Sequence, residues 1–198
     1  MPRYKHIKDF KPFLKNIQKY VNGKKGINEK LVSRSSLEAS WFLNFDSDEK
    51  VTSWSSENLI ISYNKPIFEI TQDGLFFKHY EVRNYYVDVV FKYNNGITFI
   101  GEIKPLSFCF PPKPPKQNRK KSILNYYNAL QDFYVNKAKW IAVLNKINNK
   151  KNFKFVLLTE SKILNFDEKM LEIYKKLEAV YEFKNNPSKK QRKSSEKL

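Results

Sequence analysis

The stretch NYYVDVVFKYNNGITFIGEIKP, residues 84–105, restricts the fold more than any other part of the chain. Two runs of β-branched and aromatic residues flank Asn94-Asn95-Gly96, a composition that reads as a β-hairpin. Asp88 and the Glu102-Ile103-Lys104 triplet place three charges inside those runs. A three-residue loop with Gly96 in the left-handed position pairs Tyr93 with Ile97, and counting back sets Asp88 opposite Glu102. Lys104, two residues on, falls on the same face and opposite Tyr86, because side chains alternate along a strand. A two-residue Asn95-Gly96 loop would shift the register by one and send the two acids to opposite faces. The three-residue form is preferred because it gathers every charge on one side.

Directly opposed residues of an antiparallel pair have β-carbons about 4.5–5.5 Å apart. Two carboxylates that close repel, and one is driven toward protonation unless a cation lies between them. An oxygen-only donor set suits a hard ion such as Mg²⁺, with Mn²⁺ as a substitute. Lys104 adds a compact positive charge able to hold a phosphate oxygen or a nucleophilic water. Together these residues point to metal-assisted attack of water on a phosphodiester. The same triplet also fits an ordinary Glu-Lys pair on a solvent-facing strand edge. Asp88 stands between YYV and VVF, which favours a central strand over an exposed edge.

Bulk properties agree with a polyanionic partner. The 198 residues include 37 Lys and Arg against 20 Asp and Glu, a formal net charge of +17, and nucleic acid is the simplest match. Abundant Lys, Asn, Tyr, Phe and Ile would also follow from AT-rich coding sequence. The single cysteine, Cys109, excludes an internal disulfide and suits a reducing compartment. No apolar run is long enough to cross a bilayer, MPRYKHIKDF lacks a signal-peptide core, and no clean basic amphipathic helix points to a membrane surface. His6 and His79 are the only histidines, which argues against histidine-based zinc or nuclease chemistry. NGKKG at 22–26 lacks the spacing of a phosphate-binding loop, and no G-x-S-x-G elbow is present. Carboxylates and lysines remain for catalysis.

Along the chain, residues 1–32 read as a basic arm with loops at Gly23 and Gly26. From Ser33, Leu37, Trp41 and Phe45 recur at four-residue spacing, which predicts a short helix. VTSWSSENLIISY (51–63) reads as one strand, followed by a loop around Pro66 and a turn at Asp73-Gly74. Five prolines between 105 and 115 predict extended or polyproline-like chain after the hairpin. A helix is expected from Ser122 to Asn148, broken near Val135-Asn136, with Tyr126 and Trp140 in the core rather than stacking on bases. Residues 152–160 predict a strand. Met170, Tyr174, Leu177 and Tyr181 form one stripe of a C-terminal amphipathic helix over 161–183, and residues 184–198 a basic, disordered tail. The expected order is α-β-β-β-α-β-α, a mixed α/β core over 33–160 with a hairpin near its centre.

Several residues carry two readings. Ser35-Ser36-Leu37-Glu38 fits a capping box, in which the glutamate reaches back to the helix start, and Glu38 equally fits a third metal-directed carboxylate. Arg34 can anchor a phosphate or pair with an acid. Glu57 can contribute an extra acidic group or remain a strand-surface carboxylate. Lys113, Lys116, Arg119, Lys120 and Lys121 can line a DNA track beside the site, or form a solvated loop and the polar first turn of a helix.

Asp88, Glu102-Ile103-Lys104 and an upstream helical glutamate resemble the PD-(D/E)xK nuclease superfamily. More closely, the chain is similar to the head-completion nucleases of tailed phages, themselves similar to the endonuclease subunit that cuts transposon ends. The matching pieces run in order: KYVNG (19–23), RSSLE (34–38), VTSWSSENLIISY, EIKP (102–105), PPK before a basic helix start, VNKAKW (135–140) and FKFVLLTE (153–160). They cover about residues 19–160. Two positions depart from the pattern: Val87 stands where the family has proline before the aspartate, and Leu37 where it favours an aromatic.

The resemblance implies a restriction-endonuclease-like fold, a mixed sheet with a central hairpin flanked by helices. It implies metal and water handling by Glu38, Asp88 and Glu102, with Lys104 as the catalytic lysine. It further implies a Mg²⁺-dependent DNA endonuclease of phage head completion, active in the host cytoplasm or associated with the virion, with the portal or other head and neck proteins as partners. The alternatives are a structural virion or neck protein that binds DNA or the portal without cutting, and a repair or transposition nuclease.

Overall fold

The Asn94-Asn95-Gly96 loop takes the three-residue form. Tyr93 N donates to the Ile97 carbonyl at 2.9 Å and Gly96 N to the Tyr93 carbonyl at 3.0 Å. Gly96 lies at φ +82°, a conformation that costs a residue with a β-carbon but not glycine. The strands on either side, β4 (Val89–Tyr93) and β5 (Thr98–Ile103), pair antiparallel from Lys92–Thr98 to Val89–Gly101. One further step sets Asp88 opposite Glu102.

The computed structural model describes residues 15–16, 19–20, 31–71, 74–117 and 119–185. The basic arm expected over 1–32, the Asp73 half of the expected turn and the tail over 184–198 lie mostly outside them. Four elements precede the hairpin loop's first strand: α1 (Ser36–Ser47), β1 (Val51–Ser56), β2 (Ile60–Ile70) and β3 (Leu75–Tyr86). After β5 come a 3-10 turn at Leu106–Phe108, α2 (Lys120–Ile147), β6 (Phe153–Leu158), β7 (Ile163–Asn165) and α3 (Glu168–Asn185). The protein is thus α/β, with a mixed five-stranded sheet in the order β1-β4-β5-β6-β7 and a separate two-stranded sheet of β2 and β3. Among the named strands of the described residues only β5 and β6 pair parallel, and α2 makes the crossover between them, as a parallel pair requires.

Buried residues fall into two layers. On the α1 side, Phe42, Phe45, Val51, Trp54, Phe91, Val156 and Leu158 pack together; on the other, Ile100, Phe133, Trp140, Phe155, Leu157, Phe166 and Tyr174. The alternation within β6 explains its continuous apolar run: Phe155 and Leu157 enter one layer, Val156 and Leu158 the other. Met170 and Tyr174 carry α3 into the second layer, and Tyr126 and Trp140 are buried on α2.

The structure differs from the sequence reading in six places. Residues 75–86, of which the sequence reading took only the last three and those as hairpin, form the separate strand β3. The run 51–63 is two strands, parted at Glu57, whose φ of +55° turns the chain out of the first sheet. Pro66 lies inside β2, opposite Tyr80, where a two-stranded sheet tolerates a residue without an N–H. The helix does not break at Val135-Asn136, because Phe133, Trp140 and Val143 on its buried side outweigh two weak helix formers. Strand β7, three residues long, is too short to leave a pattern. Lys104 does not face Tyr86, since β4 stops at Val89; its N–H instead donates to the Leu158 carbonyl of β6 at 2.9 Å.

Candidate active site

Glu102 is the most deeply buried charge in the sheet, 2% exposed near the end of β5. Alternation along β5 sends Ile103 into the α1 layer and Ile100 into the α2 layer, and Glu102 therefore points with Ile100 toward α2. Both of its carboxylate oxygens are bonded. Lys104 Nζ donates to Oε1 at 2.8 Å, and the Tyr85 hydroxyl, buried at the end of β3, donates to Oε2. A buried carboxylate is tolerable only with such partners.

Asp88 occupies the bend between β3 and β4, half-buried. Its Oδ2 accepts from Ile103 N at 2.8 Å, capping a backbone donor that β4 would have met had it continued. Burial pushes the Asp88 carboxyl well above the usual carboxylate range, and the charge of Glu102 pushes it further; Glu38 adds to this. The Ile103 N–H and Lys104 work in the opposite direction without prevailing. For Lys104, burial pulls downward, but the charge and hydrogen bond of Glu102 outweigh it and raise the ammonium's pKa. Burial, reinforced by both acids, raises the Tyr85 hydroxyl well above the phenol range. At neutral pH Lys104 is therefore a cation and Tyr85 a neutral donor; neither is a base.

Two groups in this site were not assigned roles by sequence reasoning. One is Tyr85. The other is Lys139 of α2, whose Nζ lies 5.3 Å from the centroid of the Tyr85 ring. Burial lowers the Lys139 pKa, with Glu102 and Asp88 opposing and Lys104 and Lys65 assisting. Lys139 lies within VNKAKW, directly before the fully buried Trp140, a position that flanks the helix's buried stripe. Tyr85 carried a weaker signal, as one of two adjacent tyrosines before Asp88.

Glu38 makes the capping bonds that the sequence allowed. Ser35 Oγ accepts from Glu38 N at 3.1 Å, and Glu38 Oε2 accepts from Arg34 N at 2.8 Å. Among the described residues no group of three His, Cys, Asp or Glu is placed to hold a metal ion. The set that is together, Asp88 and Glu102, is oxygen-only, with Asp88 held against its own ionisation. Two carboxylates are the donor type a hard divalent ion completed by water takes, and Glu38 adds a negative charge that acts on Asp88.

Arg34 pairs with an acid: Nη2 meets Glu57 Oε2 at 2.9 Å and Nη1 meets Oε1. Both side chains are exposed, so the pair contributes little stability. Lys113, Lys116, Arg119, Lys120 and Lys121 are all exposed. The first turn of α2, where Lys120 and Lys121 sit, is about 27 Å along the helix axis from Lys139. Cys109 is fully buried, its thiol pushed up to about 12 by burial, which leaves it inert as a nucleophile.

No helix among the described residues is long and apolar enough to cross a membrane. Comparison with protein-family models, with curated proteins and with solved structures finds no match.

Proposed function

We propose that this protein is a divalent-metal-dependent DNA endonuclease of PD-(D/E)xK type. The observation that supports this most is that Asp88, bonded to Ile103 N, lies beside Glu102, with Lys104 bonded to Glu102. Burial and the Glu102 charge hold Asp88 against its own ionisation, a perturbation of the kind that collects at functional sites.

Asp88 and Glu102 would hold the ion, Mg²⁺ or Mn²⁺, which when bound supplies Lewis-acid activation of water and neutralises charge developing on the phosphate. Lys104, fixed as an ammonium by Glu102, orients the water and stabilises negative charge rather than accepting a proton. The Tyr85 hydroxyl holds Glu102 in place. Water forms a bond to phosphorus as the bond to the leaving oxygen breaks, and that oxygen takes up a proton.

The net charge of +17 and the exposed basic segment from Lys113 to Lys121 support DNA as the substrate. The sequence resemblance adds the biological setting: trimming or nicking DNA in phage head completion, with portal or neck proteins as partners. A second reading, a virion protein that docks on DNA or the portal without cutting, draws support from the full engagement of both Glu102 oxygens by protein donors.

Incubation with supercoiled plasmid and Mg²⁺ or Mn²⁺ tests the proposal, with EDTA and Asp88→Ala as controls. Nicked or linear product from wild type alone is expected. Plasmid left equally intact by wild type and variant would reject hydrolysis in favour of docking.

A further inference from the structure

The lysines of this site are not equivalent. Lys104 is engaged with Glu102 at 2.8 Å. Lys139 is half-buried yet forms no ion pair or hydrogen bond among the described residues. Its ammonium lies over the face of the Tyr85 ring, 5.3 Å from the centroid, and that ring's hydroxyl is the one on Glu102. Holding a long cationic side chain half out of water without an acid partner is unfavourable in hydration and in rotamer entropy. A cation–π contact offsets only part of that.

The charge balance says what is missing. Glu102 and Asp88 are the negative charges that act on Lys139, and Lys104 and Lys65 the positive ones. A divalent ion on the two acids would cancel both, leaving three ammonium groups around a neutralised centre. The site would then need an anion, and a compact one, since a lysine serves as a point charge rather than a planar fork.

We infer that Lys139 holds a non-bridging phosphate oxygen of the nucleic-acid strand at this site, while Lys104 stays with Glu102 and the attacking water. This rests on the nuclease reading above and adds a substrate contact to it. Lys139 thereby joins the carboxylates to the exposed basic start of α2, since one helix carries both. Their separation of about 27 Å corresponds to roughly eight nucleotides at 3.4 Å per step along one strand.

The test uses the full chain and a fluorescein-labelled 20-base-pair duplex, with Ca²⁺ replacing Mg²⁺ during binding, and plasmid cleavage measured separately. Lys139→Met is expected to weaken binding about tenfold and to reduce the salt slope of the affinity by about one. Lys139→Arg is expected to restore most of the affinity. Thermal unfolding checks that each variant folds, and Lys139→Gln replaces the methionine variant if that one does not. Unchanged affinity and slope overturn the inference, even if cleavage falls, because the lysine would then act through Tyr85 on Glu102. Wild type that binds through Lys139 but cuts nothing keeps the phosphate contact and rejects the hydrolase. Wild type that neither cuts nor loses affinity on substitution rejects both.

Discussion

Gly101 lies against Val89 with no room for a side chain: a β-carbon on Gly101 would come 2.8 Å from Val89 Cγ1 and 2.9 Å from Leu158 Cδ1. The contact sits one residue from each acid of the site.

Gly101→Ala is therefore expected to destabilise the protein by about 1–3 kcal/mol, the usual cost of overpacking. Because Val89 must move, Asp88 moves with it, and cleavage should fall by more than the loss of folded protein explains. Urea unfolding compared with plasmid cleavage at a temperature where the variant stays folded measures the two effects. Equal activity per folded molecule would show that Val89 does not position Asp88.

Asp88→Asn should stabilise the metal-free protein at neutral pH while abolishing cleavage. The folded-state pKa of Asp88 lies well above its usual value, through burial first and Glu102 second. The folded state then binds the proton more tightly than the unfolded chain. This contribution to stability is fully present below about pH 4, the unfolded value, and is lost as pH rises through the raised folded value. Asparagine removes that loss and keeps an oxygen to accept from Ile103 N. A gain on the order of 1 kcal/mol, or about 2–4 °C in melting temperature, should appear at neutral pH and vanish near pH 4.

Divalent ions should reproduce that stabilisation in wild type only. Mg²⁺ at about 100 times its dissociation constant adds about 2.7 kcal/mol to a protein that binds it only when folded. Thermal melts of wild type and Asp88→Asn with and without Mg²⁺ measure the difference. The same shift in both proteins would place the ion elsewhere.

Lys104→Met leaves Glu102, 2% exposed, without its cation, and should cost about 3 kcal/mol or more. Adding Glu102→Gln to that variant removes the stranded charge and should recover most of the loss, since Gln can still accept from Tyr85. Chemical denaturation of the wild type, both single variants and the double variant gives the coupling directly. Additive losses would mean that the pair is not energetically linked.

Local chemistry made the hairpin legible. An Asn-Asn-Gly loop allows only two short geometries, and once the three-residue form is chosen strand alternation assigns the faces. The capping serine before Glu38 and the apolar stripe of α3 are local in the same sense. The sequence alone therefore placed Asp88 opposite Glu102 and Lys104 beside it.

Tertiary structure decided everything that depends on distant partners. Nothing near Ser56 announces that β1 ends and β2 starts a second sheet, because the turn at Glu57 is fixed by its N–H bonding the Asp88 carbonyl at 3.3 Å. Glu38 fitted both a cap and a ligand on sequence grounds, and its capping bonds depend on where Arg34 and Ser35 lie. Tyr85 reaches Glu102, and Lys139 reaches the Tyr85 ring, from a strand and a helix 54 residues apart in number. A side chain's company across such a separation is set by how layers pack, and no local pattern in the chain encodes it.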